Sequence, residues 1–385
     1  MTTGPMSGVR VVEISAWLTS PWAGAILADQ GADVIKIEPP EGDLYRYSGT
    51  SFANVSAQWV AVNRNKRSVC LDLKKETHRS VLHRLVAKAD VVTQNLRPGA
   101  IDRLGFGPDE LRARHPRLIY GTVNGYGPVG PHAGEGAWDT MMQAMSGLAY
   151  VQADPVTKRP QMVRTIVADK FTGQTFAQAI TAALFQRERT GQGCVIDLAM
   201  IDAAVWWLWP DGMTNETFLS PDAKKSNPVS DVDLVCPTSD GFLVVTAHID
   251  RDWKRIAEYL GRSDWLTDPR LSTGQARGEN LKFYAEQLRG AFTTKTTAEW
   301  MAIFKQLDMT ASPVLTREQM ITYPQVVANE IIGEYEHPQA GRYRAARGAA
   351  IFDGVKSSVR MPPPALGAHT IEVLSEHGID PAELD

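Results

Sequence analysis

Short β-branched runs alternate with helical patterns along the first half of this chain, and no other feature constrains the fold as strongly. Residues 9–14 (VRVVEI) and 34–37 (VIKI) are the first two runs, and each predicts a strand. Between them, the segment TSPWAGAILADQG has a capping hydroxyl at Thr19 or Ser20 and a helix-ending Gly31, which together predict a helix. The first forty residues therefore predict one β–α–β unit.

The alternation continues through the segments VCLDL, THRSVLHRLVAKA, DVVTQN and LIYGTVNGYG, to about residue 205. Repeated β–α–β units predict an α/β fold with a mostly parallel, doubly wound, Rossmann-like sheet. The turn after the first predicted strand lacks the Gly-x-Gly-x-x-Gly fingerprint, so a dinucleotide is not the expected ligand and a dinucleotide-dependent oxidoreductase is disfavoured. A helix N-terminus at the carboxyl end of the first strand remains a favourable place for phosphate.

The composition of the sequence changes after residue 209. Residues 210–230 are polar with scattered prolines, which is typical of a linker or long loop. A strand hairpin around DGFLVVTAHID and amphipathic helices such as DWKRIAEYLG follow. We therefore predict a large domain at 1–209, a linker at 210–232 and a small α+β domain at 233–330.

Composition excludes several classes of protein. The formal net charge of −4 over 385 residues gives no large positive field for nucleic acid or an anionic membrane. No apolar run approaches the about 20 residues that cross a bilayer, and the first residues lack the pattern of a secretory signal. Cys70, Cys194 and Cys236 are far apart and outside any Cys-x-x-Cys motif, so no disulfide framework or zinc site is indicated. We expect a cytoplasmic, metal-free protein.

Asp169 lies in TIVADKFTGQ, where an extended segment gives way to a helical pattern. Phe176, Ile180 and Leu184 recur at helical spacing, and Thr190-Gly191 ends the pattern. From the local sequence alone, an ordinary helix-capping carboxylate is the better interpretation of Asp169.

Seven segments, however, occur in the order typical of one enzyme family. They are VVEISAWLTSPWAGAILADQGADVIKIEPPEGD, NRNKRSVCLDLK, NLRPGAIDRLG, GYGPVGP, WDTMMQAMSGL, the Asp169 helix ending RTGQG, and PPPALGAHT. In this set the chain resembles the family III CoA-transferases, which include formyl-CoA transferase and carnitine and bile-acid CoA-transferases, and are related to α-methylacyl-CoA racemases. The resemblance implies a Rossmann-like large domain completed by residues 335–385, a smaller domain, and two subunits interlocked as a homodimer.

The resemblance also implies the chemistry and the site. Asp169 matches the family's covalent nucleophile, coenzyme A or acyl-CoA is a substrate rather than a tightly bound cofactor, and the second substrate is a carboxylic acid. The positions matching residues at the CoA site are Leu18, Thr19, Leu71, Lys74, Asn95, Leu96, Arg97, Arg103 and Asp139. Sequence alone leaves open that Lys74 and Arg97 are solvated surface charges, that Leu71 and Leu96 are core residues, and that Asp139 caps a helix.

Other positions bear on substrate and reaction type. Trp138 stands where the racemases have a His that exchanges the α-proton, and an indole only donates its N–H, which argues against a racemase. Leu18 replaces the Gln of formyl-CoA transferase, and that enzyme's glycine run in the small domain is missing, so oxalate and formate are disfavoured. His248 and Asp250 are candidates for a part in the site, with an ordinary structural His248 the simpler interpretation.

The leading hypothesis is transfer of CoA from an acyl-CoA donor to a carboxylic acid through anhydride and aspartyl-CoA thioester intermediates. An acyl-CoA racemase or epimerase on the same scaffold is the first alternative. A CoA-binding protein without turnover is the second. The aromatic cluster of Trp206, Trp207 and Trp209 is interpreted as core or dimer interface.

Overall fold

A computed structural model of the chain describes residues 4–154, 156–225 and 233–384. The chain divides into two compact units: Met1–Ala149 with Met162–Trp207 and Gln325–Asp385, and Tyr150–Gln161 with Leu208–Pro324. The C-terminal segment therefore belongs to the first unit. Of the predicted linker at 210–232, residues 226–232 lie outside the described residues.

Within these ranges the strands are β1 (Arg10–Ile14), β2 (Asp33–Glu38), β3 (Ser51–Phe52), β4 (Val55–Ser56), β5 (Lys66–Cys70), β6 (Val91–Gln94), β7 (Ile119–Asn124), β8 (Val195–Ala199), β9 (Val235–Pro237), β10 (Phe242–Val245), β11 (Ala311–Pro313), β12 (Ile332–His337), β13 (Gly341–Ala346), β14 (Ile351–Phe352) and β15 (Val355–Lys356). The helices are α1 (Thr19–Asp29), α2 (Ala57–Asn63), α3 (Glu76–Val86), α4 (Pro108–Arg114), α5 (Asp139–Met145), α6 (Leu148–Val151), α7 (Val167–Thr190), α8 (Met200–Gly212), α9 (Asp250–Tyr259), α10 (Asp264–Thr267), α11 (Gly274–Glu279), α12 (Leu281–Ala291), α13 (Thr297–Gln306), α14 (Arg317–Thr322), α15 (Pro324–Ala328) and α16 (Thr370–Glu376).

One parallel sheet of six strands organises the first unit, in the order β5–β2–β1–β6–β7–β8. Along the chain these are the sheet's third, second, first, fourth, fifth and sixth strands, the order known from nucleotide-binding α/β sheets. The winding reverses between β1 and β6, and such sheets bind ligands outside the carboxyl ends of the strands at that point. The α/β class and the parallel sheet agree with the sequence prediction.

Apolar side chains on both faces of the sheet hold the helices in place. Val11 of β1 lies in one core with residues of α1 and α7, whereas the next residue, Val12, lies in a second core with residues of α3 and α16. Successive strand residues point to opposite faces, so an uninterrupted apolar run indicates a sheet covered on both sides. Because helices cover both faces of the sheet, a ligand can approach it only at the ends of the strands.

The second unit has its own small sheet and core. Strands β9, β10 and β11 pair antiparallel, and helices of the same unit contribute Trp253, Trp265 and Trp300 to a buried apolar cluster. The paired β9 and β10 correspond to the hairpin predicted around DGFLVVTAHID. Among the described residues no helix has both the length and the apolar content needed to cross a bilayer.

Candidate active site

The carboxylate of Asp169 lies in the first turn of α7, next to the first residue of α1. The Thr19 hydroxyl donates a hydrogen bond to Asp169 Oδ1. Helices α1 and α7 approach closely here, because a β-carbon at Gly173 would lie 2.6 Å from the Thr19 carbonyl oxygen. A glycine one turn after Asp169 therefore keeps the Thr19 hydroxyl within reach of the carboxylate.

Asp139, rather than Asp169, satisfies the N-terminus of α7. Asp139 is buried, and its Oδ1 accepts hydrogen bonds from the backbone N–H groups of Ala168 at 2.6 Å and Asp169 at 3.2 Å. Its second oxygen accepts from Gln143 Nε2 at 2.7 Å. An anion is favoured at this end of a 24-residue helix. The Asp169 side chain is thus left free of the capping role that its local sequence suggests.

Burial raises the pKa of Asp169 to about 6, and the nearby Asp139 carboxylate adds to the increase while the Thr19 hydrogen bond opposes it. Burial and a second negative charge both disfavour the ionised form, whereas a donor to the carboxylate favours it. At pH 7 about nine in ten molecules would carry the ionised form. The site therefore holds an anionic carboxylate that is more basic than an ordinary aspartate.

A cleft of about 370 Å³ opens at the carboxyl ends of β1, β2, β5 and β6. Its lining includes Leu71, Leu73, Leu96 and Leu104, with Trp17 and Asp43 from the loops after β1 and β2. Asn95, directly after β6, donates to the Ala16 carbonyl at 2.8 Å and accepts from the Ala16 N–H at 2.9 Å. That pair of bonds joins the two loops at the point where the winding of the sheet reverses.

Three cations lie in or next to the segments that line this cleft. Lys74, Arg97 and Arg103 are exposed, and within residues 4–154, 156–225 and 233–384 none has a salt bridge. Lys74 lines the cleft directly, and Arg103 precedes Leu104 in its lining. Unpaired guanidinium and ammonium groups are what the phosphates of a nucleotide require.

Comparisons with known proteins agree on one family. The model of CoA-transferase family III matches residues 6–370. A probable fatty acyl-CoA transferase, Rv3272 of Mycobacterium tuberculosis, is 30% identical over 96% of this chain and 98% of its own length. A succinate–glutarate CoA-transferase of Agrobacterium fabrum is 33% identical over 97% of this chain and 95% of its own. A crystal structure of Rv3272 superimposes with a TM-score of 0.83, over 96% of this chain and 99% of that one.

The chain belongs to CoA-transferase family III. The family predicted from the seven sequence segments is thereby confirmed, and with it an enzyme that has CoA-transferase activity and acts on CoA thioesters.

Six of the ten predicted site residues of this CoA-transferase fall into two groups in the structure, and Asn95, Arg97 and Arg103 adjoin lining residues of the cleft without lining it themselves. Thr19, Asp139 and Asp169 meet at the α7 N-terminus, and Leu71, Lys74 and Leu96 line the cleft. Leu18 does neither: it is buried in a separate apolar cluster with Tyr45 and Trp59. Leu71 is 1% exposed, so it is a core residue and a cleft residue at once.

The sequence interpretation missed a buried ion network beneath this transferase site. Lys36 Nζ lies 3.1 Å from Glu13 and 3.0 Å from Asp43, and all three side chains are buried. Asp43 Oδ1 in turn accepts from the backbone N–H of Trp17 at 3.2 Å. A signal was present: Glu13 and Lys36 each interrupt an apolar strand, and charges at such positions are buried only when paired.

An aromatic corner borders the nucleophile candidate and was not predicted as such. It consists of Trp17, Tyr45 and Trp138. The Trp17 ring meets Trp138 edge-on with centroids 5.1 Å apart and is tilted against Tyr45 at 6.0 Å. Burial, followed by the charge of Asp169, raises the pKa of Tyr45 to about 12. Tyr45 is therefore a neutral phenol close to the carboxylate.

In the second unit, His248 and Asp250 are held by Arg277. Arg277 Nη2 donates to the His248 carbonyl and to Asp250 Oδ1, both at 2.6 Å. Burial, together with the Arg277 charge, lowers the pKa of His248. Arg277 thus holds the His248 backbone and the Asp250 side chain within their own unit, and the His248 ring lies tilted against Tyr284 with centroids 5.2 Å apart.

The predicted tryptophan cluster is largely exposed. Trp206, Trp207 and Trp209 are 68%, 46% and 45% exposed, so they are not core residues. Trp207 stacks on Phe171 at 5.2 Å. Among the described residues no group of three or more His, Cys, Asp or Glu side chains could hold a metal ion.

Proposed function

We propose that Asp169 is the covalent nucleophile of this CoA-transferase. The observation that supports this most strongly is its carboxylate: it is buried, freed from capping by Asp139, and has a pKa raised to about 6. A carboxylate ionised at pH 7 needs no general base to attack a thioester. Its raised basicity makes it a stronger nucleophile than a solvated aspartate.

The proposed reaction has four balanced steps. An Asp169 oxygen attacks the acyl-CoA carbonyl and expels CoA thiolate, which leaves a mixed anhydride. The thiolate attacks the aspartyl carbonyl, forming an aspartyl-CoA thioester and releasing the first acid as its carboxylate. The second carboxylate attacks that thioester, giving a second anhydride and CoA thiolate again. The thiolate finally attacks the acyl carbonyl, which yields the new acyl-CoA and restores Asp169.

The N–H groups of Ala168 and Asp169 are occupied by Asp139. Oxyanion stabilisation must therefore come from other donors. The Thr19 hydroxyl donates a hydrogen bond to the nucleophile, and we propose that it orients the attacking oxygen.

We propose that CoA occupies the 370 Å³ cleft. Its phosphates would bind Lys74, Arg97 and Arg103, which carry no competing ion pair among the described residues. Its adenine would lie against Leu71 and Leu96, and Asn95 would hold the loop that turns toward Thr19. The first unit is then the CoA-binding domain, with a Rossmann-like sheet as its base.

We also propose that the enzyme is an interlocked homodimer acting in the cytoplasm. A groove of about 850 Å³ in the first unit is lined by Trp22, Phe352 and Val355, and the latter two are 43% and 65% exposed. Apolar surface of this kind is typical of an interface between subunits. All three cysteines are free thiols, which suits a reducing compartment.

The test is CoA exchange between an acyl-CoA donor and a panel of carboxylic acids, followed by mass spectrometry. Asp169→Asn should reduce exchange at least 1,000-fold, because the amide is no nucleophile, while CoA still binds by calorimetry with an affinity within about threefold of wild type. Glu188→Gln, at an exposed carboxylate near the other end of α7, is the matched control and should leave exchange unchanged. An active Asp169→Ala enzyme would refute the proposal.

A further inference from the structure

The aromatic corner is built from three separate segments of the chain, two of which also supply the residues that contact the proposed nucleophile. Trp17 lies two residues before Thr19, whose hydroxyl contacts the Asp169 carboxylate. Trp138 precedes Asp139, which accepts from the Asp169 N–H at 3.2 Å. An acyl group attached to Asp169 would therefore start from a residue whose contacting segments carry these aromatic rings.

The rings offer free apolar surface rather than a closed core. Trp138 is 53% exposed even though its neighbour Asp139 is 7% exposed. Trp17 is half-buried and has a positive φ of 65°, a conformation that a bulky residue adopts only when its surroundings impose it. Asp43, anchored by Lys36, accepts its N–H at 3.2 Å and helps to impose that conformation. The backbone at Trp17 is thus held by a carboxylate of a buried ion pair.

Two cations of this region are held in ion pairs, and a third is hydrogen-bonded to a neutral hydroxyl. Lys36 is paired with Glu13 and Asp43, and Arg46 is paired with Glu38 at 2.7 Å. The ammonium of Lys170, the residue after Asp169, donates to Thr165 Oγ1 at 2.6 Å.

The carboxylate of Asp139 lies beside the nucleophile, since its Oδ1 accepts from the Asp169 N–H at 3.2 Å. A second carboxylate on a substrate would meet like charge and aromatic faces, which disfavours it. A hydrocarbon chain would instead be buried against the rings.

We propose that the acyl end of this site, formed by Trp17, Tyr45 and Trp138, takes monocarboxylic acids with an apolar hydrocarbon body and discriminates against dicarboxylic acids. The inference rests on the proposed function, since it assumes that the acyl group is transferred to Asp169. It separates this enzyme from the Agrobacterium fabrum relative, whose name assigns it two dicarboxylic acids.

The experiment is an internal competition between pentanoate and glutarate, which share a five-carbon chain and differ in one terminal carboxylate. Both are supplied at equal concentration with butanoyl-CoA as donor, and the two product thioesters are quantified by mass spectrometry. Pentanoyl-CoA should exceed glutaryl-CoA at least tenfold. From butanoate to hexanoate, kcat/KM should rise about fourfold for each added methylene.

Variants show whether the rings cause the preference. Trp138→Ala should lower the ratio of pentanoyl-CoA to glutaryl-CoA at least fivefold, and Trp138→Phe should retain most of it. Phe185→Ala removes another exposed aromatic ring, 64% exposed and four turns further along α7, and should leave the ratio unchanged. A preference for glutarate, or a ratio that neither Trp138→Ala nor Trp17→Ala alters, overturns the inference.

A parallel exchange assay separates this inference from the proposed function. Deuterated butanoate is exchanged into butanoyl-CoA, and deuterated succinate into succinyl-CoA. Exchange of succinate without butanoate refutes only the specificity, whereas exchange in neither pair refutes CoA transfer and the inference with it.

Discussion

Thr19 and Asp139 have opposite effects on the pKa of Asp169. The Thr19 hydroxyl donates to it and lowers its pKa, while burial and the Asp139 charge raise the pKa to about 6. Neither residue is near Asp169 in sequence, so the local segment TIVADKFTGQ predicts a cap and nothing more. Asp139 performs the capping from thirty residues away, a tertiary contact that local sequence cannot reveal; the family resemblance alone indicated both residues.

We predict that Thr19→Val moves the acid limb of the pH profile of kcat/KM to higher pH. In the wild type, activity should fall as pH drops through about 6, because protonation removes the nucleophile. Loss of one hydrogen bond to the ionised form should raise the Asp169 pKa by about half a unit to one unit. Thr19→Ser keeps the donor and serves as the control. A Thr19→Val profile that coincides with the wild type would show that the hydroxyl has no part in setting this pKa.

At the scale of elements, the sequence predicted type and order better than the placement of charges. The first two predicted strands correspond to β1 and β2, and the helix predicted at 169–189 is α7. Gly191, at a φ of 73°, ends that helix as expected. The spacing of apolar residues indicates the type of each element, and capping and turn residues indicate where it ends. The pairing of Glu13, Lys36 and Asp43 depends on which strands are neighbours, and the linear pattern does not contain that.

The contact between α1 and α7 supplies a prediction at this scale. Gly173→Ala should lower kcat/KM at least tenfold, because the added β-carbon would lie 2.6 Å from the Thr19 carbonyl oxygen and must push the helices apart. Its control is Gly290→Ala in α12, where nothing lies within 4 Å of the added carbon. Thermal unfolding and steady-state kinetics check both variants. Wild-type activity in Gly173→Ala would mean that the Thr19–Asp169 contact tolerates displacement.

For the whole molecule, the α/β class and the parallel sheet were predictable because strand–helix alternation leaves few topologies open. The extent of each unit was harder to predict. Residues 150–161 lie inside the predicted large domain, yet they group with the second unit. Nothing in their composition marks them, since unit membership depends on contacts with residues 208–324. If Asp169 is the nucleophile, the acids that the enzyme joins to CoA are likewise set by packing that the linear sequence does not contain.

We predict a dimer that survives dilution. If the two chains are threaded through one another, they cannot separate without unfolding, so light scattering should give twice the mass of one chain down to nanomolar concentration. Dissociation should coincide with loss of the circular dichroism signal in denaturant. A folded, active monomer at low concentration would contradict the interlocked arrangement.

The most direct test of the central claim is to trap the covalent intermediate. The enzyme is mixed with acyl-CoA, quenched in acid and digested, and the peptide containing residue 169 is sequenced by mass spectrometry. We predict CoA attached as a thioester to Asp169 in the wild type, and no such adduct in Asp169→Asn. CoA transfer that proceeds without an adduct, or with an adduct on another residue, would contradict the account.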